Sequence, residues 1–380
     1  MAQTYFASIQ PGLEEALLTE IRRLGGKRPR KVYGGVEFDA ARKTLYAAHL
    51  QLATATRIWL RVDEFRARDA GELYRKTRRF EWERLLVGGE TIHLRAYSSN
   101  SRLYHTGKIA DAVIDGLRDR FLEDLPGTPA LEFTDSADEE AQLLMTRLDE
   151  DRCQLSLDAS GPLLHRRGWR TESGEAPLRE TIAAAILELI DWQPGQGLAD
   201  PMCGSATIPI EAARRALNYP PGLNRSFAFQ AWKNFQPARF AEIADELGRR
   251  IASEVPAPIL ATDRAEEVLK RARRNADRAE VGEHLSFSQS LAKDTSIPEQ
   301  VSWLVTNPPY GARLDEDNAL AELIGLWRGL SHPCGLAFLW PCSRRDAVYG
   351  FKEKRLTRLT SFENGGLPVD LWAAPLSESP

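Results

Sequence analysis

The most informative string in this sequence places an asparagine, two prolines and a tyrosine after an apolar run. It reads Thr306-Asn307-Pro308-Pro309-Tyr310-Gly311 and follows residues 301–305. The two prolines fix the backbone, so the Asn307 side-chain oxygen and the Pro308 carbonyl can serve as a pair of outward acceptors. Such a pair suits a planar NH2 group, and Tyr310 offers a face on which a ring can stack. A proline-rich turn that closes a strand is the structural alternative.

Two further motifs could bind a ligand. The loop Asp200-Pro201-Met202-Cys203-Gly204-Ser205-Ala206-Thr207 lies between a predicted strand and helix, where small residues allow close backbone approach and free N–H groups can meet a carboxylate. Asp263 ends the next strand, where a carboxylate can accept both hydroxyl hydrogens of a ribose. Alone, the loop could be a tight turn and Asp263 a helix cap. Neither GxGxxG nor a P-loop is present, so nucleotide-phosphate motifs are excluded.

The elements around these motifs predict a doubly wound parallel sheet in the second half of the chain. Strand-like and helical patterns alternate from residue 177 onward. Near the end, Asn364-Gly365-Gly366 between two apolar runs predicts an antiparallel hairpin. The predicted strands are 198–200, 258–263, 285–288, 301–306 and 335–340, and the predicted helices are 177–190, 207–217, 265–278 and 319–330.

The first 160 residues predict small α+β units. Strand-like runs at 4–9, 36–38, 54–62, 90–97, 140–148 and 153–157 alternate with helical patterns at 12–24 and 108–121. Two such units in tandem fit the pattern better than one sheet. A stretch rich in Gly, Arg and Ser between Asp158 and Pro177 then indicates a linker or a clamp between domains.

Charge is unevenly distributed along the chain. The 380 residues carry a formal net charge of −4, which argues against a protein that coats nucleic acid by bulk positive charge. Residues 1–108, however, hold 20 basic and 12 acidic side chains, a net charge of +8. This asymmetry suggests that the front of the chain meets a polyanion, although a solvated Arg-rich surface would look the same.

Four cysteines without zinc-site spacing indicate a reducing compartment, and neither a secretory signal nor a membrane span is recognisable. We therefore expect a cytoplasmic protein with no metal and no membrane partner.

Taken together, the three motifs resemble those of class I S-adenosylmethionine-dependent amino-methyltransferases. The resemblance extends to residues 164–170, Ala176-Pro177-Leu178-Arg179-Glu180, and Pro221-Gly222-Leu223 with Phe229 and Trp232. With these strings the chain is similar to the THUMP-domain RNA guanine-N2 methyltransferases, most of all the bacterial large-subunit (23S) rRNA branch. The residues 101–108 resemble the THUMP segment of that branch.

The resemblance implies an α/β fold, with a Rossmann-like methyltransferase domain preceded by α+β ferredoxin-like and THUMP domains. The implied boundaries are 1–50 for the ferredoxin-like part, 51–160 for the THUMP domain, 161–176 for the linker and 177–380 for the methyltransferase domain. The implied catalytic residues are Asn307, Pro308, Pro309 and Tyr310. The residues implied to bind S-adenosyl-L-methionine are Pro177, Leu178, Asp200, Pro201, Met202, Cys203, Gly204, Ser205, Thr207, Asp263, Arg264, Ser290 and Asn307. The candidates for RNA contact are Arg75, Lys76, Arg78, Arg79, Arg102, His105 and Lys108, and the expected partner is 23S rRNA or a pre-ribosomal particle.

The sequence departs from the family pattern at two places. Ala206 stands where relatives carry a second glycine, and a left-handed backbone there would cost on the order of 1 kcal/mol. Ser288-Gln289-Ser290 replaces an acidic residue that holds the adenine amine, although a Gln or Ser oxygen can still accept one hydrogen bond. Both departures predict weaker cofactor binding.

Other functions remain open at this point. A tRNA guanine, adenine N6 in DNA or a glutamine amide in a protein presents the same planar NH2 group. A non-catalytic RNA-binding or ribosome-assembly factor with a degenerate cofactor site would explain the two departures. Trp169 and Trp232 are expected to pack in a core or hinge and not to stack on bases.

Overall fold

The computed structural model describes residues 2–136, 141–170, 178–309 and 316–376. Pro177, Tyr310 and Gly311 lie outside them, so the predictions made for these residues stay predictions. Within the described residues, the strands form two sheets, one of eight strands before residue 160 and one of seven strands after it. No helix in this part of the chain is long and apolar enough to cross a membrane.

The first sheet is continuous and has the order β2-β3-β1-β4-β8-β7-β5-β6. Its strands are β1 (Gln3–Ser8), β2 (Lys27–Val32), β3 (Gly35–Ala40), β4 (Arg57–Arg66), β5 (Thr91–Ser99), β6 (Glu132–Thr134), β7 (Gln142–Asp149) and β8 (Arg152–Asp158). The helices beside it are α1 (Glu14–Arg23), α2 (Arg42–Gln51), α3 (Ala70–Arg79) and α4 (Thr106–Asp119). The patterns at 4–9, 12–24 and 108–121 are thus confirmed as β1, α1 and α4.

The expectation of two units rather than one sheet is wrong, because β4 belongs to both. Leu60 of β4 pairs with Tyr5 of β1 on one side and with Leu157 of β8 on the other. The first residues of this ten-residue strand pair with β1 and the later ones with β8, and both neighbours are antiparallel to it. Leu60, Tyr5, Leu157 and Leu144 share one buried face of the sheet, and the helices cover that face.

The second sheet has the order β11-β10-β9-β12-β13-β15-β14, and its first five strands are parallel. Its strands are β9 (Gly197–Asp200), β10 (Ile259–Asp263), β11 (Ser286–Gln289), β12 (Val301–Thr306), β13 (Gly335–Pro341), β14 (Thr357–Asn364) and β15 (Leu367–Ala374). The helices are α5 (Glu180–Leu189), α6 (Thr207–Ala216), α7 (Pro237–Gly248), α8 (Glu266–Arg278), α9 (Glu316–Arg328) and α10 (Arg345–Gly350). The doubly wound sheet predicted for the second half is confirmed.

The predicted terminal hairpin is confirmed as β14 and β15. Asn364 pairs with Leu367, which leaves Gly365 and Gly366 as a two-residue loop. Their φ angles are 58° and 84°, a combination that only glycine adopts without strain at both positions.

The segment predicted as a linker or clamp holds the two halves together over residues 161–170. The Arg167 guanidinium donates to the Ala53 carbonyl of the first half and forms an ion pair with Glu211 on α6 at 3.4 Å. Arg225 donates to the backbone carbonyls of Pro162, Leu164 and Arg166. These contacts define a clamp, and residues 171–177 lie outside the described part.

The insertion after α6 also docks on the first half of the chain. A Cβ added to Gly222 would lie 2.2 Å from the His49 carbonyl oxygen of α2, so glycine is required for this approach. Phe229 stacks on Tyr46 with ring centroids 5.1 Å apart. Trp232 and Trp169 are buried, which confirms their expected packing role.

Candidate active site

The three chemical motifs meet at the carboxyl edge of the parallel sheet. Asp200 ends β9, Asp263 ends β10 and Asn307 follows β12, and these strands are neighbours in the order β10-β9-β12. In open α/β sheets this edge is where ligands bind. The three motifs therefore lie on adjacent strands at one edge of the sheet.

Asp200 is a buried carboxylate that accepts a local backbone hydrogen bond. Its Oδ1 atom accepts from the Met202 N–H at 3.1 Å, which shapes the start of the loop. Burial raises the pKa of Asp200 to about 7, because an ionised carboxylate loses its hydration in the interior.

The loop after β9 turns on two residues with a left-handed backbone. Gly204 has φ of 55°, and Ala206, which immediately precedes α6, has φ of 60° and ψ of 31°. Ala206 thus occupies the conformation for which the family's glycine is suited, and its methyl group carries the expected steric cost. The loop is tied to β10 because the Cys203 N–H donates to the Thr262 carbonyl at 2.8 Å.

Asp263 connects the loops that follow three strands. Its Oδ2 atom accepts from the Gly204 N–H at 3.1 Å, and its Oδ1 atom accepts from the Ala265 N–H at 3.0 Å. Its carbonyl accepts from the Ser290 N–H at 3.1 Å. The cap position of α8 is Ala265, so Asp263 lies outside the helix and its carboxylate is partly exposed at the edge of the sheet.

The region that departs from the family's acidic pattern lies at the end of β11. The Ser288 and Thr262 hydroxyls are hydrogen-bonded at 2.8 Å, and the Gln289 side-chain nitrogen donates to the Arg264 carbonyl at 3.1 Å. Gln289 is exposed, and its Oε1 atom is the acceptor that can meet an amine.

Asn307 carries a buried acceptor atom without a partner. Its Oδ1 atom is fully buried and forms no hydrogen bond with any described residue. A buried polar atom in this state costs free energy unless a ligand satisfies it. Pro308 is buried and Pro309 is exposed, so the motif runs from the sheet interior to the surface.

Two supporting residues were not singled out from the sequence. Arg170 of the clamp donates to the Thr207 hydroxyl at 2.7 Å, so this predicted cofactor contact already has a protein partner. Asn275 on α8 is fully buried and its side-chain nitrogen lies 3.4 Å from the Ser205 carbonyl. A polar residue at the core-facing spacing of Leu269, Ala272 and Ala276 is the signal that could have identified Asn275.

The seven residues predicted to contact RNA differ in their surroundings. Arg75, Arg79, Arg102, His105 and Lys108 are exposed, and Lys76 is partly exposed. Arg78 donates to Asp124 at 2.7 Å, to the Tyr74 hydroxyl at 2.9 Å and to Glu123 at 2.8 Å, and these bonds raise its pKa. The charge of Arg78 is thus already matched within the molecule. No group of His, Cys, Asp and Glu among the described residues could hold a metal ion.

A seven-stranded sheet of this order, with acidic, small-residue and Asn-Pro-Pro motifs at its carboxyl edge, defines a class I methyltransferase fold. Residues 167–326 match the family model of the RMKL-like methyltransferase domain, and residues 4–59 match that of the RlmL ferredoxin-like domain. The putative RNA methyltransferase slr0064 of Synechocystis is 30% identical over 84% of this chain and 82% of that protein. The chain belongs to the RMKL-like methyltransferase family.

Two further comparisons agree with this membership. The ribosomal RNA large subunit methyltransferase K/L of Psychromonas ingrahamii is 36% identical over 87% of this chain, and the chain spans 44% of that protein's length. The crystal structure of SMU.472, a putative methyltransferase complexed with SAH, has a TM-score of 0.88 and 27% identity, and the match covers 100% of this chain and 99% of that one. The predicted methyltransferase family, the Rossmann-like fold and the N-terminal ferredoxin-like domain are thus confirmed, whereas the THUMP domain stays a prediction.

Proposed function

We propose that this protein transfers the methyl group of S-adenosylmethionine to the exocyclic N2 of a guanine in ribosomal RNA, with 23S rRNA as the substrate. The observation that carries the proposal is the buried, unpartnered Oδ1 atom of Asn307 at the carboxyl edge of the sheet. The names of the Psychromonas and Synechocystis relatives support an RNA substrate, and that of the Psychromonas relative supports ribosomal RNA.

The residues at the sheet edge fit the cofactor. In the proposed site, the loop from Asp200 to Thr207 orients the methionine part and the Asp263 carboxylate accepts from the ribose hydroxyls. The left-handed Gly204 and the partly exposed Asp263 support this arrangement, because the first exposes backbone and the second offers acceptor oxygens. The full proposed cofactor set is Pro177, Leu178, Asp200, Pro201, Met202, Cys203, Gly204, Ser205, Thr207, Asp263, Arg264, Ser290 and Asn307.

Catalysis of this methyl transfer depends mainly on how the amine is positioned. Asn307 Oδ1 and the Pro308 carbonyl accept the two amine hydrogens, which concentrates lone-pair density on nitrogen, while Tyr310 stacks on the base. The N–C bond forms as the sulfonium C–S bond breaks, and the amine proton is then lost to solvent. A guanine inside a duplex must be flipped out or already unpaired to reach Asn307.

The direct test replaces Asn307 with alanine. With methyl-labelled S-adenosylmethionine and RNA, Asn307→Ala is expected to lower methyl transfer at least about 100-fold, the loss typical of one removed transition-state contact. Because Asn307 also belongs to the proposed cofactor set, calorimetry should show a loss of cofactor affinity that is much smaller than the loss of methyl transfer. Asn234→Ala, a partly exposed asparagine in the insertion, serves as the control. Unchanged transfer by Asn307→Ala would refute the proposed site.

The acceptor is identified by nucleoside analysis of labelled RNA. N2-methylguanosine in ribosomal RNA is expected, whereas label in tRNA, in adenine of DNA or in a protein glutamine would select one of the other acceptors. Absence of cofactor binding would favour a non-catalytic RNA-binding factor. Mapping methylated guanosines in cells with and without the protein names the nucleotide.

We also place the protein in the cytoplasm. All four cysteines are free, and Cys153, Cys203 and Cys334 are buried, which is typical of a protein made in a reducing compartment.

A further inference from the structure

The polar face of the eight-stranded sheet carries an exposed tyrosine between two exposed arginines. Arg95 and Tyr97 lie two residues apart on β5 and therefore share a face. Arg147 of the neighbouring strand β7 pairs in register with Tyr97. All three side chains are exposed, and Tyr97 is 53% exposed. We call Arg95, Tyr97 and Arg147 the β5–β7 patch.

The two arginines of this patch differ from other arginines of the same face. Arg57 pairs with Asp158, Arg61 pairs with Glu37 at 2.9 Å, and Arg152 pairs with Glu64 at 2.7 Å. Arg95 donates only to His93, at 3.2 Å between Nε and the ring Nε2, and neither Arg95 nor Arg147 forms an ion pair with a described residue. The patch thus presents two guanidinium groups that lack a counter-charge within the described structure.

The charges of the patch extend to its neighbours on the sheet. Burial and then the positive charge of Arg95 lower the pKa of Arg57 to about 10. Burial lowers the pKa of Arg61, Glu37 and more weakly Glu64 oppose this shift, and the charge of Arg147 lowers the pKa further. Guanidinium groups on three strands therefore lie close enough to repel one another, and a polyanion on this face would relieve that repulsion.

An exposed aromatic ring beside guanidinium groups without ion-pair partners favours single-stranded nucleic acid as the ligand of the patch. Guanidinium groups bind phosphates through paired N–H donors, and a base stacks on a flat aromatic ring when it is not paired in a duplex. We propose that the β5–β7 patch binds an unpaired segment of the RNA substrate. The inference rests on the proposed RNA methyltransferase function and adds a binding surface away from the catalytic motifs.

The charge part of the proposal is tested with Arg95→Gln/Arg147→Gln and an unstructured RNA of about 20 nucleotides. The double variant is expected to bind at least about tenfold more weakly, and the slope of log affinity against log salt should fall by about 1.4, or 0.7 per lost phosphate contact. The control is Arg239→Gln/Arg250→Gln, two arginines on or beside α7 that pair with Glu242 and Glu246. An unchanged affinity and salt slope in the patch variant would overturn the proposal.

The stacking part is tested at Tyr97. Tyr97→Ala should lower affinity for the single strand about fivefold or more, while Tyr97→Phe keeps the ring and the affinity. Tyr33→Ala is the control, because Tyr33 is 88% exposed in the turn that joins β2 to β3. If Tyr97→Ala bound the single strand as tightly as the parent does, the proposed stacking on Tyr97 would be wrong. If Tyr97→Ala lost as much affinity for duplex RNA as for the single strand, the patch would not be specific for an unpaired strand.

Failure of this inference can be told apart from failure of the proposed function. Asn307→Ala should lose methyl transfer and keep RNA affinity, whereas the patch variant should lose RNA affinity and keep cofactor affinity. A parent protein that methylates RNA while the patch variants bind normally overturns this inference alone. A parent protein that binds no RNA overturns both.

Discussion

The backbone N–H of Gly204 donates a hydrogen bond of 3.1 Å to the Oδ2 atom of Asp263. This bond joins the loop after β9 to the end of β10 before any ligand is present, so the two halves of the proposed cofactor site are organised by one carboxylate. Asp263 thereby shapes the loop and, in the proposed site, would also offer acceptors to a ribose.

Replacing Asp263 with asparagine should weaken cofactor binding about 10- to 100-fold, because the amide removes the charge and one acceptor oxygen. Calorimetric titration with S-adenosylhomocysteine measures the change. Asp346→Asn, which alters an exposed carboxylate on α10, should leave the affinity unchanged. Full affinity in Asp263→Asn would show that the ribose is held elsewhere.

Replacing Ala206 with glycine should stabilise the protein by up to about 1 kcal/mol, because φ of 60° strains a residue that carries a Cβ. Urea unfolding gives the free energy. Ala213→Gly, inside the helix α6 that follows Ala206, should destabilise by about 1 kcal/mol or more, since a helical backbone gains nothing from glycine. Cofactor affinity of Ala206→Gly should not fall, and a destabilised Ala206→Gly would contradict the strain at this position.

Asp200 should make stability fall as pH rises through its titration range. Burial raises its pKa to about 7, so between about pH 4 and pH 7 the folded state binds more protons than the unfolded state. Relative to the parent, Asp200→Asn should therefore become more stable between pH 5 and pH 8, by on the order of 2 kcal/mol. The free energies of unfolding of the parent and of Asp200→Asn are measured at pH 5 and at pH 8. If the two proteins differ by the same amount at both pH values, Asp200 is not protonated in the folded protein.

Arg167→Ala should destabilise the protein by about 3–5 kcal/mol, because it leaves the Glu211 carboxylate buried without its cation. The side chains of Arg167 and Glu211 are 2% and 5% exposed. Adding Glu211→Gln should recover part of the loss, which a double-mutant cycle in urea detects. Arg84→Ala, which removes an exposed pair with Glu81, should cost less than about 1 kcal/mol. If Arg167→Ala lost no more stability than Arg84→Ala, the buried ion pair of the clamp would contribute no more to the free energy of unfolding than an exposed pair does.

The site was predictable because it depends on strand ends. Asp200, Asp263 and Asn307 each follow an apolar run, and parallel strands bring their carboxyl ends to one edge whatever their order. The hydrogen-bond and ion-pair partners of individual side chains could not be predicted from the positions of the strand ends. Nothing local in the sequence indicates that Arg78 meets Asp124 or that Arg170 meets Thr207, because these pairs are set by tertiary packing.

Two of the elements that sequence patterns missed lack a clear apolar alternation. The strand β2 reads Lys-Arg-Pro-Arg-Lys-Val and is an edge strand with no buried residue, so no period of two marks it. Helix α3 buries only Leu73 and Thr77, which is too little to give a helical pattern. The continuity of the first sheet was missed because strand pairing over β4 and β8 is a long-range property.

The sharing of β4 limits how the front of this protein can be exchanged or shortened. A cut at residue 50, the boundary predicted from the sequence between a ferredoxin-like and a THUMP part, would strip β4 of its pairing with β1 and leave Tyr5, Ala7 and Val36 without their cover. The smallest module that keeps the first sheet whole therefore extends from the start of β1 to the end of β8, and it needs a replacement for the insertion that packs on Tyr46. Chimeras joined near residue 160 keep the sheet whole, whereas those joined near residue 50 should expose a bare strand edge and aggregate.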